Sequence, residues 1–328
     1  MGTYLVTGCA GFIGWKVTEL LLAGNHIVIG IDNINEAYDV RLKQWRLAQL
    51  GATSGFEFYQ IDICDRNALN DLVDSVTAQG ISIEAVINLA ARAGVRASVE
   101  DPHMYFETNV IGTLNLLELS RYYKIPKFVQ ASTSSLYGKD NNVPYNEDQN
   151  TDKPLSPYAA SKKAAEAFCH VYHYLHGLNI TVLRYFTVYG PAGRPDMAPF
   201  RFVKWILEGE PLILYGDGTQ SRDFTYVDDI ARGTVRSLDL QGFQIINLGS
   251  DHPIVLTEFI KIVEAACQKE AQIIHQQRHA ADALVTWANI ERAKSLMNWQ
   301  PQVGIEHGVR NMVKWYQENR DWARTISD

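Results

Sequence analysis

The amino-acid sequence predicts an α/β fold: a doubly wound parallel sheet followed by a smaller C-terminal α/β domain. Apolar runs of strand length alternate with helical patterns through the first half of the chain, and this alternation is typical of parallel sheets. A glycine-rich turn follows the first apolar run, and an aspartate ends the second. We place the first domain at residues 1–184, with some later segments returning to it, and the second at residues 185–328.

The first turn, Gly8 to Gly14, lies between the apolar run Tyr4–Val6 and an amphipathic helical pattern. Gly8 allows a tight turn, Gly11 removes the Cβ that would hold the backbone away from a phosphate, and Gly14 permits close packing of the helix. The helix start offers free N–H groups to an anion. The spacing GxxGxxG alone also fits a plain glycine-rich turn. We assign five residues to a dinucleotide site: Gly8, Gly11, Phe12, Ile13 and Gly14.

The second apolar run, His26 to Ile31, ends in Asp32, which lies 18 residues after Gly14. A carboxylate at this strand end can accept hydrogen bonds from both ribose hydroxyls of NAD and would repel the 2′-phosphate of NADP. The alternative is that Asp32 is an ordinary surface aspartate. However, the order of strand, glycine turn, helix, second strand and aspartate predicts a Rossmann-type unit that binds NAD. Asn33 follows directly and is assigned to the same site.

The third strand is predicted at Phe56–Ile61, after a polar loop and a helix rich in Lys, Arg and Leu. At its end, Asp62 and Ile63 would lie beside the adenine of the dinucleotide. A helix-cap role for Asp62 is nearly as well supported, because a helix is predicted over residues 66–78.

The fourth strand is predicted at 85–91 as a nearly continuous apolar run, which is typical of a buried parallel strand. The run ends in the small residues Ala90 and Ala91, which let the backbone lie against a ligand. We assign these two residues and Leu89 to the cofactor site. Arg92 and Arg96 follow at the mouth of the expected crevice, where either can meet a phosphate; a surface role for at least one stays open.

A long helix is predicted from about Pro102 to Tyr123, and its Asn109 is assigned to the cofactor site. The fifth strand, Lys127–Ala131, ends in the hydroxyl-rich segment Ser132–Gly138. Because ligands bind at the carboxyl ends of such strands, these hydroxyls indicate a site; a polar turn that caps its own backbone is the alternative.

Tyr158 and Lys162 lie four residues apart in a stretch that is predicted to be helical from Ser156–Pro157, so they share one helix face. A lysine ammonium close to a phenol lowers the phenol pKa from its usual ~10. Tyr158 is therefore a candidate general base. Thr133, 25 residues earlier, supplies a hydroxyl at the neighbouring strand end. We predict that Thr133, Tyr158 and Lys162 are the catalytic residues.

The composition of the chain disfavours several classes of function. A net charge of −7 disfavours a broad nucleic-acid surface. Four dispersed cysteines without a CxxC pair fit reduced thiols better than disulfides or a metal site, so no metal is expected. No apolar run approaches a membrane span. Since the first strand starts almost at Met1, no signal peptide is expected, and we expect a cytoplasmic protein without membrane or nucleic-acid partners.

The segments TGCAGFIG, Asp32, NLAA, ASTSSLYG and YAASK together resemble the extended short-chain dehydrogenase/reductase family of nucleotide-sugar enzymes. The resemblance covers essentially the whole chain. It implies that Tyr158, Lys162 and Thr133 form the catalytic centre, that NAD is the cofactor and that a UDP-sugar is the substrate. It also suggests a homodimer through the helices that carry Asn109 and Tyr158. Ser132 and Tyr185 are added to the cofactor site.

The sixth strand is predicted at Ile180–Arg184, and the later segments resemble those that line the UDP pocket in this family. By this resemblance Arg222 meets the pyrophosphate and Tyr215 the uracil; a buried salt bridge of Arg222 with Asp223 or Asp228 is the alternative. Ser134, Ser135 and Thr187 would lie near the C5 substituent of the sugar, with Arg194 on a nearby loop and Arg96 at the substrate. Asp282 is expected at the UDP ribose, although the chain departs there from the usual Pro-Gly-Asp, and roles for Arg278 and His279 stay open.

The segments DNINEAYD, AGVRAS and YFTVYGPAGRPDM resemble the branch that epimerises a UDP-uronic acid at C4, from UDP-glucuronate to UDP-galacturonate, through a transient 4-keto sugar. Dehydration is disfavoured, because Ser134 and Ser135 cannot act as carboxylic acid and carboxylate base. A neutral UDP-hexose 4-epimerase is the main alternative. A UDP-glucuronate decarboxylase, a dehydrogenase with exchangeable cofactor and a non-catalytic NAD-binding regulator are less well supported.

Overall fold

A computed structural model describes residues 1–278 and 283–327. Its strands, in chain order, are β1 (Thr3–Thr7), β2 (Ile27–Ile31), β3 (Phe56–Tyr59), β4 (Ile83–Asn88), β5 (Lys127–Thr133), β6 (Asn179–Tyr185), β7 (Thr187–Tyr189), β8 (Leu212–Tyr215), β9 (Ser221–Tyr226), β10 (Phe243–Leu248), β11 (Pro253–Val255) and β12 (Ile273–Gln276). The predicted α/β class is confirmed.

The helices are α1 (Phe12–Ala23), α2 (Val40–Gly51), α3 (Arg66–Ala78), α4 (Ala97–Glu100), α5 (Pro102–Phe106), α6 (Gly112–Tyr122), α7 (Pro157–His176), α8 (Ala198–Glu208), α9 (Val227–Arg236), α10 (Leu256–Cys267), α11 (Glu291–Met297), α12 (Ile305–Glu318) and α13 (Arg320–Ala323). Short 3₁₀ turns occupy Ser134–Tyr137 and Ser237–Asp239, and one π-helical turn occupies Glu107–Ile111. None of the described helices is long and apolar enough to cross a bilayer.

The large sheet has seven parallel strands in the order β10-β6-β5-β4-β1-β2-β3. The chain runs outward in one direction from β1 and in the other from β4, so the two neighbours β1 and β4 form the switch point of the sheet. Loops at the carboxyl ends of these strands diverge and leave a crevice between them. The candidate site lies at this edge.

Residues alternate across the large sheet and supply two apolar layers. Val6 and Ile87 belong to the layer that includes α1, α2 and the C-terminal elements. Leu5 and Val86 belong to the opposite layer, which is formed with α3, α6 and α7. Because both faces are covered, the strands are apolar throughout, as expected of a parallel sheet.

The second half of the chain adds two small sheets, one in the order β11-β9-β7 and one that pairs β12 with β8. β10 nevertheless joins the large sheet in parallel with β6, and α9 packs against α1. These later segments therefore return to the first half, as the sequence predicted. The small sheets stand over the carboxyl edge of the large one and close the crevice from above.

Several element boundaries differ from the prediction, and those of β3, β4 and the helix after β4 bear on the site. β3 ends at Tyr59 rather than Ile61, and β4 ends at Asn88, so Leu89–Ala91 lie beyond the strand. The chain leaves the ladder there because Ala90 N donates to the side chain of Thr7 at 3.2 Å. The helix predicted over residues 102–123 is broken by the π-helical turn Glu107–Ile111, which changes the direction of the Asn109 side chain relative to a regular helix.

Candidate active site

A cavity of about 850 Å³ lies between the carboxyl edge of the large sheet and the second half of the chain. Most of the residues predicted for the cofactor and the substrate line it. They are Gly8, Gly11, Phe12, Ile13, Gly14, Asp32, Asn33, Asp62, Ile63, Leu89, Ala90, Ala91, Arg96, Ser132, Thr133, Ser134, Ser135, Tyr158, Lys162, Tyr185, Thr187, Arg194, Tyr215 and Arg222. Asn109 is not among the lining residues, and Asp282 lies outside the described residues.

The glycine turn at one end of the cavity leaves no space for side chains. Gly8 has φ +69°, and a Cβ there would lie 2.7 Å from Ala90 N. A Cβ on Gly11 would lie 2.9 Å from Gly8 O, and one on Gly14 would lie 2.0 Å from the same oxygen. Gly14 is therefore required for the contact of the helix with the turn itself, rather than with the strand.

The start of α1 supplies the donors that a dinucleotide phosphate needs. Gly11 is the N-cap residue of this helix and makes no side-chain cap hydrogen bond. The first N–H groups of α1 face the cavity end formed by Gly11, Phe12 and Ile13. A turn that only glycine can form and an uncapped helix start together fit the pyrophosphate of NAD.

Asp32 is buried at the end of β2, and both its carboxylate oxygens bind protein groups. Oδ1 accepts a hydrogen bond from Ile34 N at 2.8 Å, and Oδ2 accepts one from Ala10 N at 3.2 Å. Lys43 Nζ lies 3.8 Å from Oδ1. Burial lowers the pKa of Lys43 to about 8, although the negative charge of Asp32 acts in the opposite direction. The backbone contacts fix the carboxylate, and its remaining lone pairs are available to a ribose.

Asp62 lines the cavity and does not cap the following helix. Its Oδ2 accepts a hydrogen bond from Asn33 Nδ2 at 2.7 Å, and its Oδ1 accepts one from Cys64 N at 2.8 Å. Burial by itself would raise the pKa of Asp62, but these hydrogen bonds hold it below its usual value. Asp65 caps α3 instead, by accepting from Asn67 N and Ala68 N. The helix-cap alternative for Asp62 is therefore wrong.

Asn109 is fully buried behind the segment that follows β4. Its Oδ1 accepts a hydrogen bond from Arg92 N at 2.8 Å, and its Nδ2 donates to Arg92 O and to Ser161 Oγ, both at 2.9 Å. Both donors of its side-chain amide are thus used within the protein. Asn109 holds the cavity wall in place and joins it to α7, so the predicted direct contact with the cofactor is replaced by a supporting position.

Tyr158, Thr133 and Lys162, the predicted catalytic residues, line the same cavity. Ser156 caps α7 by accepting from Ala159 N, which fixes the start of the helix that carries Tyr158 and Lys162. Lys162 Nζ donates to Ala131 O at 3.0 Å, and this bond ties the helix to β5, where Thr133 is the last residue.

The surroundings of Tyr158 act on its proton in opposite directions. Burial raises the pKa of the phenol, whereas a hydrogen bond with Thr133 and the positive charge of Arg194 lower it. The sequence predicted Lys162 as the group that lowers this pKa; in the structure Thr133 and Arg194 do so. Burial also lowers the pKa of Lys162 itself, to about 8.

Two further residues at the centre have hydroxyls that are engaged by the protein. Ser132 Oγ donates to Glu166 Oε1 at 2.6 Å, and Glu166 forms a buried salt bridge with Arg184 at 2.8 Å. The hydroxyl of Tyr185 shares a hydrogen bond of 2.8 Å with Thr234 Oγ1. Both residues line the cavity, but the polar ends of their side chains stabilise its walls.

Small hydroxyl side chains and one arginine surround the space beyond Tyr158. Ser134 and Ser135 form a 3₁₀ turn that is held by a hydrogen bond from Ser135 N to Thr133 Oγ1 at 3.1 Å. Thr187 begins β7 on the opposite wall. Arg194 pairs with Asp196 at 2.5 Å and donates to Ala93 O at 3.1 Å. The arrangement offers neutral donors, beside the Arg194–Asp196 ion pair, to a small anionic group.

The far end of the cavity is formed by the second half of the chain. The guanidinium of Arg96 stacks on the ring of Tyr215, with 3.9 Å between its central carbon and the ring centroid. Arg222 Nη1 donates to Ser221 O at 2.8 Å and to Leu284 O at 3.3 Å.

Asp223 and Asp228, which were the alternative partners for Arg222, have other partners. Asp223 accepts from the backbone of Asp251 and Ala288, and Asp228 lies 3.6 Å from Lys16. Arg278 is exposed and packs beside Gly216, and His279 lies outside the described residues.

Sequence reasoning missed Lys43, Tyr38 and Asn35, which also line the cavity near Asp32. Asn35 Oδ1 accepts a hydrogen bond from Lys43 Nζ at 3.0 Å. In the sequence, Lys43 is one of several basic residues in the helix after Asp32. The spacing between Asp32 and Lys43 does not predict a contact, because the irregular loop between β2 and α2 determines which face of α2 lies against the cavity.

Comparisons with known proteins agree with this geometry. The profile of the NAD dependent epimerase/dehydratase family matches residues 4–249. A UDP-glucuronate 4-epimerase from Thermodesulfobacterium geofontis is 53% identical to this chain over 99% of each sequence. The crystal structure of a UDP-glucuronic acid 4-epimerase from Bacillus cereus, in complex with UDP-glucuronic acid and NAD, has a TM-score of 0.90 and 37% identity, over 97% of this chain and 99% of that one. A UDP-glucose 4-epimerase from Thermotoga maritima, solved with UDP-glucose, has a TM-score of 0.89 and 29% identity, over 97% and 99%.

Proposed function

Because the chain belongs to the NAD dependent epimerase/dehydratase family, we propose that it is an NAD-dependent enzyme that interconverts UDP-glucuronate and UDP-galacturonate. The observation that carries this proposal is the position of Tyr158, Thr133 and Lys162 between a dinucleotide turn and a wall of neutral hydroxyls in one cavity. The printed activity of the relative at 53% identity supports the uronate as substrate.

NAD fits the cavity end formed by the glycine turn, the start of α1 and Asp32. Gly8, Gly11 and Gly14 line this end in a turn whose own backbone leaves no space for a Cβ, and Asp32 is fixed where a ribose would meet it. When bound, NAD supplies reversible two-electron oxidation at C4 of the sugar. Lys162, anchored on Ala131 O, is assigned to the nicotinamide ribose.

Tyr158 removes the proton of the C4 hydroxyl and later returns it. Thr133 hydrogen-bonds the phenol and keeps it oriented toward the sugar. The pKa of a buried phenol is too high for a base at neutral pH, so the lowering by Thr133 and the positive charge of Arg194 favours the reaction. Once C4 is a ketone, the sugar turns over and is reduced on its opposite face.

The wall of Ser134, Ser135 and Thr187 recognises the carboxylate of the uronate. A C4 ketone beside this carboxylate makes a β-keto acid, which loses CO₂ when the C–CO₂ bond stands perpendicular to the ketone plane. Neutral donors can hydrogen-bond a carboxylate oxygen in both orientations of the sugar, and Arg194 supplies a compensating charge nearby. This wall therefore both selects the uronate and restrains decarboxylation.

A neutral UDP-hexose 4-epimerase is the second candidate. It needs the same Thr133, Tyr158 and Lys162, and the likeness to the UDP-glucose enzyme of Thermotoga maritima supports it. It gives no reason for the hydroxyl wall beside Arg194, and we rank it second for that reason.

Incubation of the purified protein with UDP-glucuronate, followed by NMR of the products, tests the proposal. We expect the 4-epimer to appear without added cofactor and without net accumulation of reduced cofactor, which near-ultraviolet absorbance would report. Net reduction of NAD would identify an ordinary dehydrogenase, and a UDP-pentose as the main product would identify a decarboxylase. Absence of turnover from a protein that contains NAD would favour a regulator.

We also propose a homodimer through the helices that follow β4 and β5. Large apolar side chains stay exposed on α5 and α7, including Phe106 at 55%, Tyr174 at 79% and Leu175 at 62%. α5 and α6 both pack against α7, so the exposed apolar side chains lie on neighbouring helices. An exposed apolar surface of this kind favours association.

The four cysteines of the chain are free thiols in the structure. Free thiols are typical of proteins in a reducing compartment, and we propose that the enzyme works in the cytoplasm.

A further inference from the structure

Arg46 on α2 is a fully buried arginine whose hydrogen-bond partners come from two distant parts of the chain. Its Nη1 donates to Ala10 O at 3.0 Å, inside the glycine turn. Its Nη2 donates to Ala192 O at 2.7 Å and to Gly193 O at 3.3 Å, and its Nε donates to Ala192 O at 3.2 Å. We call residues 190–196 the substrate loop, because they carry Arg194. One side chain thus joins the glycine turn to the substrate loop.

Arg46 forms no ion pair within residues 1–278 and 283–327, although a buried charge without a carboxylate is costly. Carbonyl dipoles, a hydrogen bond of 2.7 Å to the hydroxyl of Tyr38 and the rings of Tyr38 and Phe12 stabilise it instead. An apolar side chain in its place would remove the donors that bind the carbonyl oxygens of Ala10, Ala192 and Gly193. The guanidinium has several donors in a rigid planar arrangement, so it can hold these carbonyl oxygens at a fixed distance from one another.

The substrate loop has a conformation that needs such support. Ala192 has φ +50°, a region that residues with a Cβ rarely adopt. Two donors of Arg46 bind its carbonyl oxygen. The loop also lies against the first residue of α1, since a Cβ on Gly193 would be 3.9 Å from Phe12 Cζ. Arg194, which lines the cavity, lies two residues after Ala192.

We propose that Arg46 is a positioning residue that acts through Arg194: it fixes the distance between the cofactor turn and the cation that meets the UDP-sugar. Tyr38 is the second member of this link, because its hydroxyl binds Arg46 and its ring centroid lies 5.9 Å from the central carbon of the Arg194 guanidinium. The inference rests on the proposed function for the identity of the ligand. It does not rest on turnover, since binding of UDP-glucuronate to a Tyr158→Phe holoenzyme, which does not turn it over, reports the position of Arg194.

Arg46→Lys keeps the charge but replaces the rigid fork of donors by a single ammonium group. We expect it to raise KM and Kd for UDP-glucuronate roughly tenfold, with kcat changed by less than about threefold. Calorimetry with UDP-glucuronate, on purified holoenzyme that carries Tyr158→Phe so that no turnover occurs, gives the Kd. As a control, Arg236→Lys alters another arginine that holds backbone carbonyls, those of Met297 and Asn298, far from the cavity. It should lower the melting temperature without changing the Kd for UDP-glucuronate.

A double-mutant cycle with Arg194→Gln separates positioning from general destabilisation. If Arg46 acts through Arg194, Arg46→Lys should change the Kd for UDP-glucuronate by less than about twofold once Arg194 is replaced. Full additivity of the two effects, or an unchanged Kd in Arg46→Lys alone, would overturn the proposal.

Should Arg46→Lys fail to fold, Tyr38→Phe removes one partner of Arg46 and keeps the ring. It should then show a smaller rise in Kd that also disappears in the Arg194→Gln background, and a persistent rise would overturn the proposal. A wild-type protein that binds UDP-glucuronate but does not epimerise it would contradict the proposed function and leave this test intact.

Discussion

At the scale of single residues, the proposed chemistry depends on how burial and charge balance at Tyr158. Burial raises the pKa of the phenol, while the Thr133 hydrogen bond and the Arg194 charge lower it. The lysine that follows one turn later is engaged with the backbone of β5. Burial is the larger effect and the pKa stays above its usual value, so the Arg194 charge opposes burial only in part. If Arg194 binds the substrate as proposed, binding of the sugar and activation of the base use the same cation.

Tyr158→Phe removes the oxygen that accepts the C4 proton and leaves the packing of the ring against Tyr105 intact. We expect normal folding and NAD content, with turnover reduced by at least ~100-fold, which is the usual scale for loss of a general base. Steady-state kinetics and the nucleotide content of the denatured protein measure the two quantities. A variant with a near wild-type rate would contradict the role of Tyr158.

Ser134→Ala and Thr187→Ala each remove one neutral donor from the proposed carboxylate wall. A hydrogen bond to a charged group contributes roughly 1.5–3 kcal/mol, so we expect kcat/KM for UDP-glucuronate to fall about 10–100-fold. Activity on a neutral UDP-hexose should change much less, and some UDP-4-keto-pentose should leave the enzyme. Equal losses on both sugars, measured by NMR, would show that these hydroxyls do not recognise a carboxylate.

At the scale of elements, the turn between β1 and α1 is the most tightly constrained part of the site. Gly14→Ala would place a Cβ 2.0 Å from Gly8 O, so the turn must open. We expect a lower melting temperature and loss of bound NAD. Gly51→Ala is the matched control, because a Cβ there meets nothing within 4 Å at the end of α2; it should be neutral or slightly stabilising. NAD retention by Gly14→Ala equal to that of Gly51→Ala would contradict the assignment.

The elements that sequence reasoning predicted well are those whose chemistry is local. The glycine turn, Asp32 at the end of β2, the hydroxyls after β5 and the pair Tyr158–Lys162 each follow from a spacing within one strand, turn or helix. The residues that it missed depend on packing between distant segments. Arg46 meets Ala192 only because α2 lies over the substrate loop, and Lys43 reaches Asp32 through an irregular loop.

The same distinction explains the residues whose roles changed. Asn109 was predicted beside the cofactor because it lies on the helix after β4. The π-helical turn instead directs it to the backbone of Arg92 and to Ser161, and such a turn has no signal in hydrophobic periodicity. The strand ends of β3 and β4 were placed two and three residues too late, because apolar residues continue beyond the hydrogen-bonded ladder.

At the scale of the whole molecule, the large sheet and the helices packed on it carry the proposed base and cofactor site, and residues of the small sheets line the same cavity. The proposed division at residue 185 separates these roles, but β10 and α9 cross back to the large sheet. The Arg96–Tyr215 stack and the Arg46 link also join the two halves. We therefore expect the two proposed domains to unfold together rather than separately.

The exposed apolar surface on α5 and α7 predicts the assembly. Tyr174→Lys combined with Phe106→Lys puts charges at two of its most exposed positions, 79% and 55%. We expect a dimer for the wild type and a monomer for this variant, measured by light scattering after gel filtration. Leu296→Lys, at an exposed apolar position on α11, should remain dimeric. A monomeric wild type would contradict the proposed homodimer.

The most direct test of the central claim is a competition in one tube, in which the wild-type protein receives equal amounts of UDP-glucuronate and UDP-glucose and NMR follows both products. The hydroxyl wall of Ser134, Ser135 and Thr187 beside Arg194 predicts that UDP-galacturonate forms first, at least ~10-fold faster than UDP-galactose, because at least one charge-assisted hydrogen bond distinguishes the two sugars. Faster formation of UDP-galactose would contradict the uronate as substrate and leave the neutral-sugar 4-epimerase as the function of this site.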